Sequence, residues 1–226
     1  METIKKYDHP YVTVDAVIFR FMNEHLQILL SKRSDNNEVE GGKWCLPGGF
    51  CGVESRLMDT LEKKVLEKTG ISPGSAGFYV EQLKTYDGIN RDSRGRIISV
   101  AYLCLTNNSS LGGCWFTVDR TSKTLMNDTL TISFDELAFD HGDMVWDAVI
   151  RLAGKLWYTD IVQHLLPPKF TLRESQILCE AVEGFKTNNI GRKFGRKIEG
   201  TGSYMTYGAE GGRPAELYRW TQKGEP

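Results

Sequence analysis

The amino-acid sequence predicts an α+β fold, because strand and helix patterns occur together along most of the chain. Residues 11–21 and 26–33 are rich in β-branched and aromatic residues and flank the polar sequence MNEH, which indicates a β-hairpin. A Pro-Gly-Gly turn then leads into a helix predicted from about Ser55 to Thr69, with Gly70 as its C-terminal cap. Further elements follow in the same mixed order, with predicted strands at 78–87, 96–106, 113–119 and 130–136 and a helix at about 141–156.

The chain changes character at Pro167 and Pro168, since neither residue can continue a helix and both stiffen a connection. We therefore predict a larger domain over residues 1–160, a linker over 161–168 and a smaller domain over 169–226.

The smaller domain is predicted to contain two helices and two strands. Thr171 and Glu174 have the spacing at which two side chains satisfy free backbone N–H groups at a helix start, and Gly184 closes that helix. A second helix, made short or irregular by two glycines, would place apolar side chains on one face, namely Ile190, Phe194 and Ile198. Strands near SYMTY and AELYRWT flank the turn-rich sequence GAEGGRP.

Composition and charge exclude several classes of protein. The formal charge of -1 suggests no particular partner, and the N-terminal residues lack the apolar core of a signal peptide. No apolar run is long enough to span a bilayer, so we expect a cytoplasmic protein without membrane contact. Five scattered cysteines without a CxxC pair indicate reduced, mostly structural thiols, and neither zinc nor a disulfide framework is indicated. We expect neither a bound metal nor a cofactor.

Positive charge is concentrated in the tail, where Lys186 to Lys197 contains five basic residues and no acidic one. Such a segment suits contact with nucleic-acid phosphates, although an ordinary solvated basic helix would have the same composition.

The stretch from Gly49 to Ile71 resembles a Nudix box, a loop-helix-loop signature whose glutamates hold magnesium. The spacing of the signature is complete, but most of its metal-binding residues are replaced. Ser55 stands in place of the first glutamate, Lys63 replaces the arginine, and Lys64 and Lys68 replace two further glutamates, so that only Glu67 remains. One carboxylate among lysines cannot hold a divalent ion, because the ammonium groups repel it. The box is therefore predicted to be degenerate, with no catalytic residue.

Two interpretations of Lys64 and Lys68 remain open. They are either solvated helix-surface residues, or they replace the charge of the missing ion and retain an anionic diphosphate without cleaving it.

Beyond the box, INRDSRGRIISVAYL, ELAFDH, KLWYTDIVQHLLPPKFTL and RPAELYRW closely resemble segments of Nudix-related transcriptional regulators, from about Tyr11 to Trp220. The resemblance implies a Nudix-like α/β/α sandwich with a mixed sheet, followed by a small winged helix-turn-helix domain. It further implies a homodimer that binds double-stranded operator DNA and senses a sugar or nucleotide-sugar metabolite. The family includes repressors that sense ADP-ribose and a regulator that responds to arabinose, and the sequence does not separate these effectors.

The candidate site residues fall into two groups. Arg94 and Arg96, in a polar turn before a strand, are predicted with Lys64, Glu67 and Lys68 to bind the ligand, although arginines at a turn are often merely exposed. His141 is either a cleft residue or a hydrogen-bonded structural histidine. The predicted DNA-binding residues are Lys186, Asn189, Arg192, Lys193, Arg196, Lys197 and Arg213.

Two other functions remain open at this stage. An ADP-ribose pyrophosphatase would need carboxylates from outside the box, such as Glu54 or Glu81, together with Glu67. A protein-binding adaptor would show no salt-dependent affinity for DNA.

Overall fold

The computed structural model describes residues 9–70, 72–73, 78–206 and 213–221. Ile71 and most of the predicted GAEGGRP turn lie outside these residues. In chain order the elements are β1 Tyr11–Met22, β2 His25–Lys32, β3 Trp44–Cys45, β4 Gly48–Phe50, α1 Leu57–Thr69, β5 Phe78–Tyr86, β6 Ile97–Thr106, β7 Cys114–Asp119, β8 Thr124–Met126, β9 Thr131–Ser133, α2 His141–Lys155, β10 Phe170–Thr171, α3 Leu172–Glu183, α4 Ile190–Phe194, β11 Ile198–Met205 and β12 Ala215–Trp220. None of the helices within the described ranges is both long enough and apolar enough to cross a membrane.

Nine strands form one mixed sheet, so the predicted α+β class is confirmed. The strand order is β5-β6-β1-β2-β7-β8-β9, with β4 paired to β1 and β3 paired to β2. β1 and β6 are parallel along their whole pairing, whereas β2 and β4 pair with β1 in the antiparallel direction. The predicted hairpin is present, and its two turn residues, Asn23 and Glu24, both have positive φ, as a tight type I′ turn requires.

Helices cover both faces of the sheet, because β1 is apolar on both sides. Val14, Ala16 and Ile18 pack with Leu61 and Val65 of α1 on one face. The alternate residues of β1 pack against α2 on the other face, in a cluster that includes Val17, Phe19, Met144, Val145, Ala148 and Leu152. The result is an α/β/α sandwich.

Helix α1 begins later than predicted. Arg56 has an extended backbone and its N–H donates to a carboxylate oxygen of Asp59, so the helix starts at Leu57 rather than Ser55. Its end is as predicted, because Gly70 adopts φ 75° and its N–H donates to Leu66 O over 2.9 Å.

The C-terminal part contains α3, α4 and a three-stranded sheet in the order β10-β12-β11. The predicted cap of α3 is confirmed, since Thr171 Oγ1 accepts from the Glu174 N–H and Glu174 Oε2 accepts from the Thr171 N–H. Helix α4 is only five residues long. It ends at Gly195, whose backbone has φ 55° and ψ -124°.

Most of the predicted linker, residues 161–166, is packed against the protein, and only Pro167 and Pro168 of the range are exposed. Ile161, Val162, Leu165 and Leu166 are buried in the same apolar cluster as α2. That cluster continues into the C-terminal part through Phe170, Leu178, Val182, Ile190 and Phe194. The proposed division into two domains therefore remains a prediction, and the two parts share one core.

Candidate ligand cavity and nucleic-acid interface

A cavity of about 200 Å³ opens beside β1, on the α2 face of the sheet. It lies where the end of β2, the short strands β3 and β4, the loop before β6 and the start of α2 meet. Its walls are Thr13, Asp15, Arg33, Cys45, Leu46, Gly48, Gly49, Phe50, Arg91, Asp92, Arg94, Phe139 and His141.

His141 is both a cavity residue and a structural residue. Its Nδ1 accepts from the Leu46 N–H at 2.9 Å, so the ring proton lies on Nε2, which is 3.6 Å from Asp15 Oδ1. Asp15 Oδ2 in turn accepts from the Ser99 hydroxyl at 2.5 Å. Burial lowers the pKa of His141, and the nearby Asp15 carboxylate opposes this shift only in part. The imidazole is therefore held neutral.

This lowered pKa predicts a loss of stability in mild acid. The unfolded state binds the proton below a pH of about 6.5, whereas folded His141 resists it, so the free energy of unfolding falls as the pH drops below that value. The slope from this one group is at most about 1.4 kcal/mol per pH unit. Urea unfolding at pH 7.5 and pH 5 should show a smaller acid loss in His141→Asn, which keeps an acceptor for Leu46, than in the wild type. An equal loss of unfolding free energy in the wild type and in His141→Asn would contradict this prediction.

Arg94 lines the cavity, whereas Arg96 lies outside its wall. The Arg94 guanidinium forms two hydrogen bonds to Asp92, of 2.9 and 2.6 Å, and lies 5.1 Å from the ring centre of Phe50. Arg96 is exposed and donates to the carbonyls of Asp87 and Gly88. Arg91, three residues before Arg94, also lines the cavity and is likewise paired, through two hydrogen bonds to Asp140.

Gly49 of the box lines the cavity, whereas Lys64, Glu67 and Lys68 are not among the residues of its wall. The Lys64 side chain lies against Gly49, where a Cβ atom would lie 2.7 Å from Lys64 Cε, so a larger residue at this position would have to displace the end of the lysine side chain. Lys64 Nζ binds Glu67 Oε2 at 2.9 Å, and this hydrogen bond is the main cause of the lowered pKa of Glu67. Lys68 is exposed, as are Ser55 and Lys63. Ligand contact by Lys64, Glu67 and Lys68 stays a prediction.

The carboxylates suggested for a hydrolase do not come together. Glu81 binds Arg151 and Lys155, and so faces α2. Glu67 lies on α1, which covers the opposite face of the sheet. Glu54 is exposed in the loop before α1.

Several cavity residues were missed by the sequence analysis, above all Arg33, Thr13 and Phe139. Arg33 lies 4.8 Å from the ring centre of Phe139. Phe139 has φ 56°, an uncommon conformation for a bulky aromatic residue and one that often occurs at functional sites. One signal was available, because Asp15 is a carboxylate inside the otherwise apolar strand sequence VTVDAVIF.

Part of the predicted DNA-binding set is exposed in the C-terminal part of the chain. Arg192 lies on α4 and Arg196 on the turn after it, and both side chains face solvent. Asn189 precedes α4 in a left-handed conformation with φ 59°. Lys186 and Arg213 are also exposed.

The other two predicted DNA-binding lysines contact the segment that follows α2. Lys193 Nζ lies 4.1 Å from the ring centre of Trp157 and donates to Thr187 Oγ1. Lys197 Nζ donates to Thr159 O at 2.9 Å and forms an ion pair with Asp160 Oδ1 at 3.3 Å. Their contact with DNA stays a prediction, and in this conformation they join the two parts of the chain.

Comparison with known proteins agrees with this geometry. Residues 10–130, more than half of the chain, match the NUDIX domain family. The ADPR responsive transcriptional repressor NtrR of Acinetobacter baylyi is 36% identical over 229 residues, which cover 95% of this chain and 83% of that protein. An ADP-ribose pyrophosphatase of Methanocaldococcus jannaschii is 29% identical over 147 residues, 65% of this chain and 78% of that protein.

A solved structure resembles the whole chain. The crystal structure of Shewanella oneidensis NrtR complexed with a 27mer DNA superposes with a TM-score of 0.73 at 31% identity, covering 93% of each chain. The match extends over both the sheet with the cavity and the C-terminal part with α4. The chain therefore belongs to the NUDIX family and, within it, to the Nudix-related transcriptional regulators.

Proposed function

We propose that this protein is a cytoplasmic transcriptional repressor that binds operator DNA and is released by a nucleotide-sugar effector, with ADP-ribose as the candidate. The observation that best supports coupling between the two sites is that a single helix connects them. Helix α2 begins at His141 in the cavity wall and spans fifteen residues, a length of about 22 Å. The segment after it contacts Lys193 of α4 and Lys197, which follows α4.

We assign the C-terminal part as a winged helix-turn-helix. Helices α3 and α4 are joined by a short turn, and the β11–β12 hairpin follows them in the position of a wing. In this arrangement the second helix enters the major groove, and exposed cations around it contact phosphates or base edges. Arg192 and Arg196 are the cations best placed for this role, with Lys186, Asn189 and Arg213 around them.

The identity of the effector is supported by the relatives and by the cavity. The Acinetobacter relative is described as responsive to ADPR. The cavity contains carboxylates and arginines side by side, which suits a ligand with both hydroxyl and phosphate groups. These observations favour ADP-ribose over arabinose, which has no phosphate.

A homodimer completes the proposal. Two reading helices related by a two-fold axis match two half-sites of a palindromic operator. The effector lowers the affinity for DNA if it binds more tightly when α2 is in a position that turns α4 away from its half-site. The loss of DNA-binding free energy is then set by the difference in the effector's binding free energy between the two positions.

The decisive test is capture of sheared genomic DNA on the purified protein at near-physiological salt, with and without ADP-ribose, followed by sequencing. A palindromic site should be enriched and should be lost when ADP-ribose is added. Diffuse retention that disappears at moderate salt would contradict specific regulation. Specific retention that ADP-ribose does not change would contradict the effector and leave the operator binding in place.

A second candidate function, hydrolysis of ADP-ribose, is favoured only by the pyrophosphatase relative. Magnesium-dependent release of AMP that is abolished in Glu67→Gln would establish it. We expect no such release, because Glu67 is bound to Lys64 and Glu81 lies on the other face of the sheet.

A further inference from the structure

The three arginines of the cavity differ in how their charge is balanced. Arg91 forms two hydrogen bonds to Asp140, and Arg94 forms two to Asp92, so each guanidinium faces its own carboxylate. A phosphate at either residue would have to compete with that carboxylate. These two arginines therefore bring little uncompensated positive charge to the cavity.

Arg33 has no such carboxylate among the residues that the structure describes. Its Nε donates to Glu40 O at 3.0 Å and its Nη2 donates to Val39 O at 2.9 Å, and both acceptors are neutral carbonyls. These two bonds fix the guanidinium in place against Phe139 without cancelling its charge. The neighbouring Cys45 does not cancel it either, since burial raises the pKa of that thiol to about 11 and keeps it neutral.

The opposite side of the cavity presents groups that suit hydroxyls. Thr13 and Asp15 lie two residues apart on β1, so both side chains project from the same face of the sheet. Thr13 is 7% exposed, and its Oγ1 has no hydrogen-bond partner within the described ranges. A buried hydroxyl without a partner is costly, and a ligand hydroxyl would satisfy it. Asp15 can accept from a second ligand hydroxyl.

The cavity is too small for a whole dinucleotide-sized ligand. Its volume of about 200 Å³ is below the range of about 300–1,000 Å³ that encloses drug-sized ligands. Only one end of ADP-ribose could be enclosed, and the remainder would have to lie at the mouth, where Phe50 is half exposed.

We propose that Arg33 is the phosphate-selecting residue of this cavity, and that it acts with Thr13 and Asp15 to enclose the sugar-phosphate end of the effector. This inference rests on the proposed function, because it concerns the same ligand site. It adds a residue outside the Nudix box and assigns the box lysines no part in selecting the phosphate.

The test compares ribose 5-phosphate with ribose by isothermal titration calorimetry. The wild type should bind the phosphate form more tightly. Arg33→Ala should lose about ten- to a hundredfold in affinity for ribose 5-phosphate, since hydrogen bonds to charged groups are the stronger class, and should bind ribose as before. Arg33→Lys should recover part of the preference, because lysine keeps the charge without the planar pair of donors. Thr13→Val should weaken both ligands by the same factor.

The matched control is Arg173→Ala, which removes an exposed arginine of α3 and should change neither affinity. Thermal melting of each variant separates a lost contact from a loss of fold. A wild type that binds the two sugars equally, or a folded Arg33→Ala that keeps the phosphate preference, would overturn the assignment. Titration of the wild type with ADP-ribose distinguishes the two proposals. If ADP-ribose does not bind, it is not the effector, and the comparison of ribose 5-phosphate with ribose still tests the role of Arg33.

Discussion

Replacing both Arg192 and Arg196 with alanine should lower the affinity for operator DNA about a hundredfold or more. Each arginine that contacts a base edge or phosphate contributes about 1–3 kcal/mol, and the two side chains are exposed, Arg192 on α4 and Arg196 on the turn after it. The slope of log affinity against log salt should also become shallower by about 0.9 for each phosphate contact that is lost. Fluorescence anisotropy with a labelled operator fragment, repeated at several salt concentrations, measures both effects.

The control removes the same charge elsewhere. Arg56 and Lys63 are exposed at α1, on the sheet face opposite α2, and Arg56→Ala/Lys63→Ala should leave operator affinity nearly unchanged. If the two double variants lose affinity equally, net charge and not the reading helix governs binding. If neither loses affinity, α4 does not contact the operator.

Local signals in the sequence predicted much of the fold. The capping pair Thr171 and Glu174 and the terminal glycines Gly70 and Gly184 act within one helical turn, so the helix ends follow from neighbouring residues alone. Strand alternation likewise identified the long strands. The short strands β3 and β4 were missed, because they exist only through pairing with β2 and β1.

The ligand cavity could not be predicted in the same way. Its polar residues come from separate segments, with Asp15 on β1, Arg33 after β2, Arg94 before β6 and His141 at the start of α2. Arg94 and Arg96 are only two residues apart, and the packing of the turn decides that one lines the cavity and the other does not.

Lys197 shows a similar limit in the C-terminal part. Helical periodicity placed it on the polar side of a helix continuing to Ile198. The helix instead ends at Gly195, and the chain turns so that Lys197 meets Thr159 and Asp160. A contact between distant segments thus determines whether a basic residue faces DNA or the rest of the protein.

Phe170→Ala should cost about 3–5 kcal/mol of unfolding free energy, because it removes a fully buried aromatic ring from a packed core. The ring lies 5.8 Å from that of Trp220 and belongs to the cluster that also contains α2. Since this cluster joins the sheet to the C-terminal part, we expect one unfolding transition with a lower midpoint. Urea unfolding followed by both circular dichroism and tryptophan fluorescence should give coincident curves.

Phe185 provides the matched control, since its side chain is 63% exposed. Phe185→Ala should change the unfolding free energy by no more than about 0.5 kcal/mol. Two separate transitions, with only one shifted by Phe170→Ala, would show that the C-terminal part folds independently, as the predicted division at residues 161–168 implies. A single shifted transition would mean that the sensor and the DNA-binding part form one cooperative unit. In that case a rearrangement at the cavity can reach α4 only through the packing that both parts share, so variants of Leu165 or Leu166 should weaken the effector's control over DNA binding.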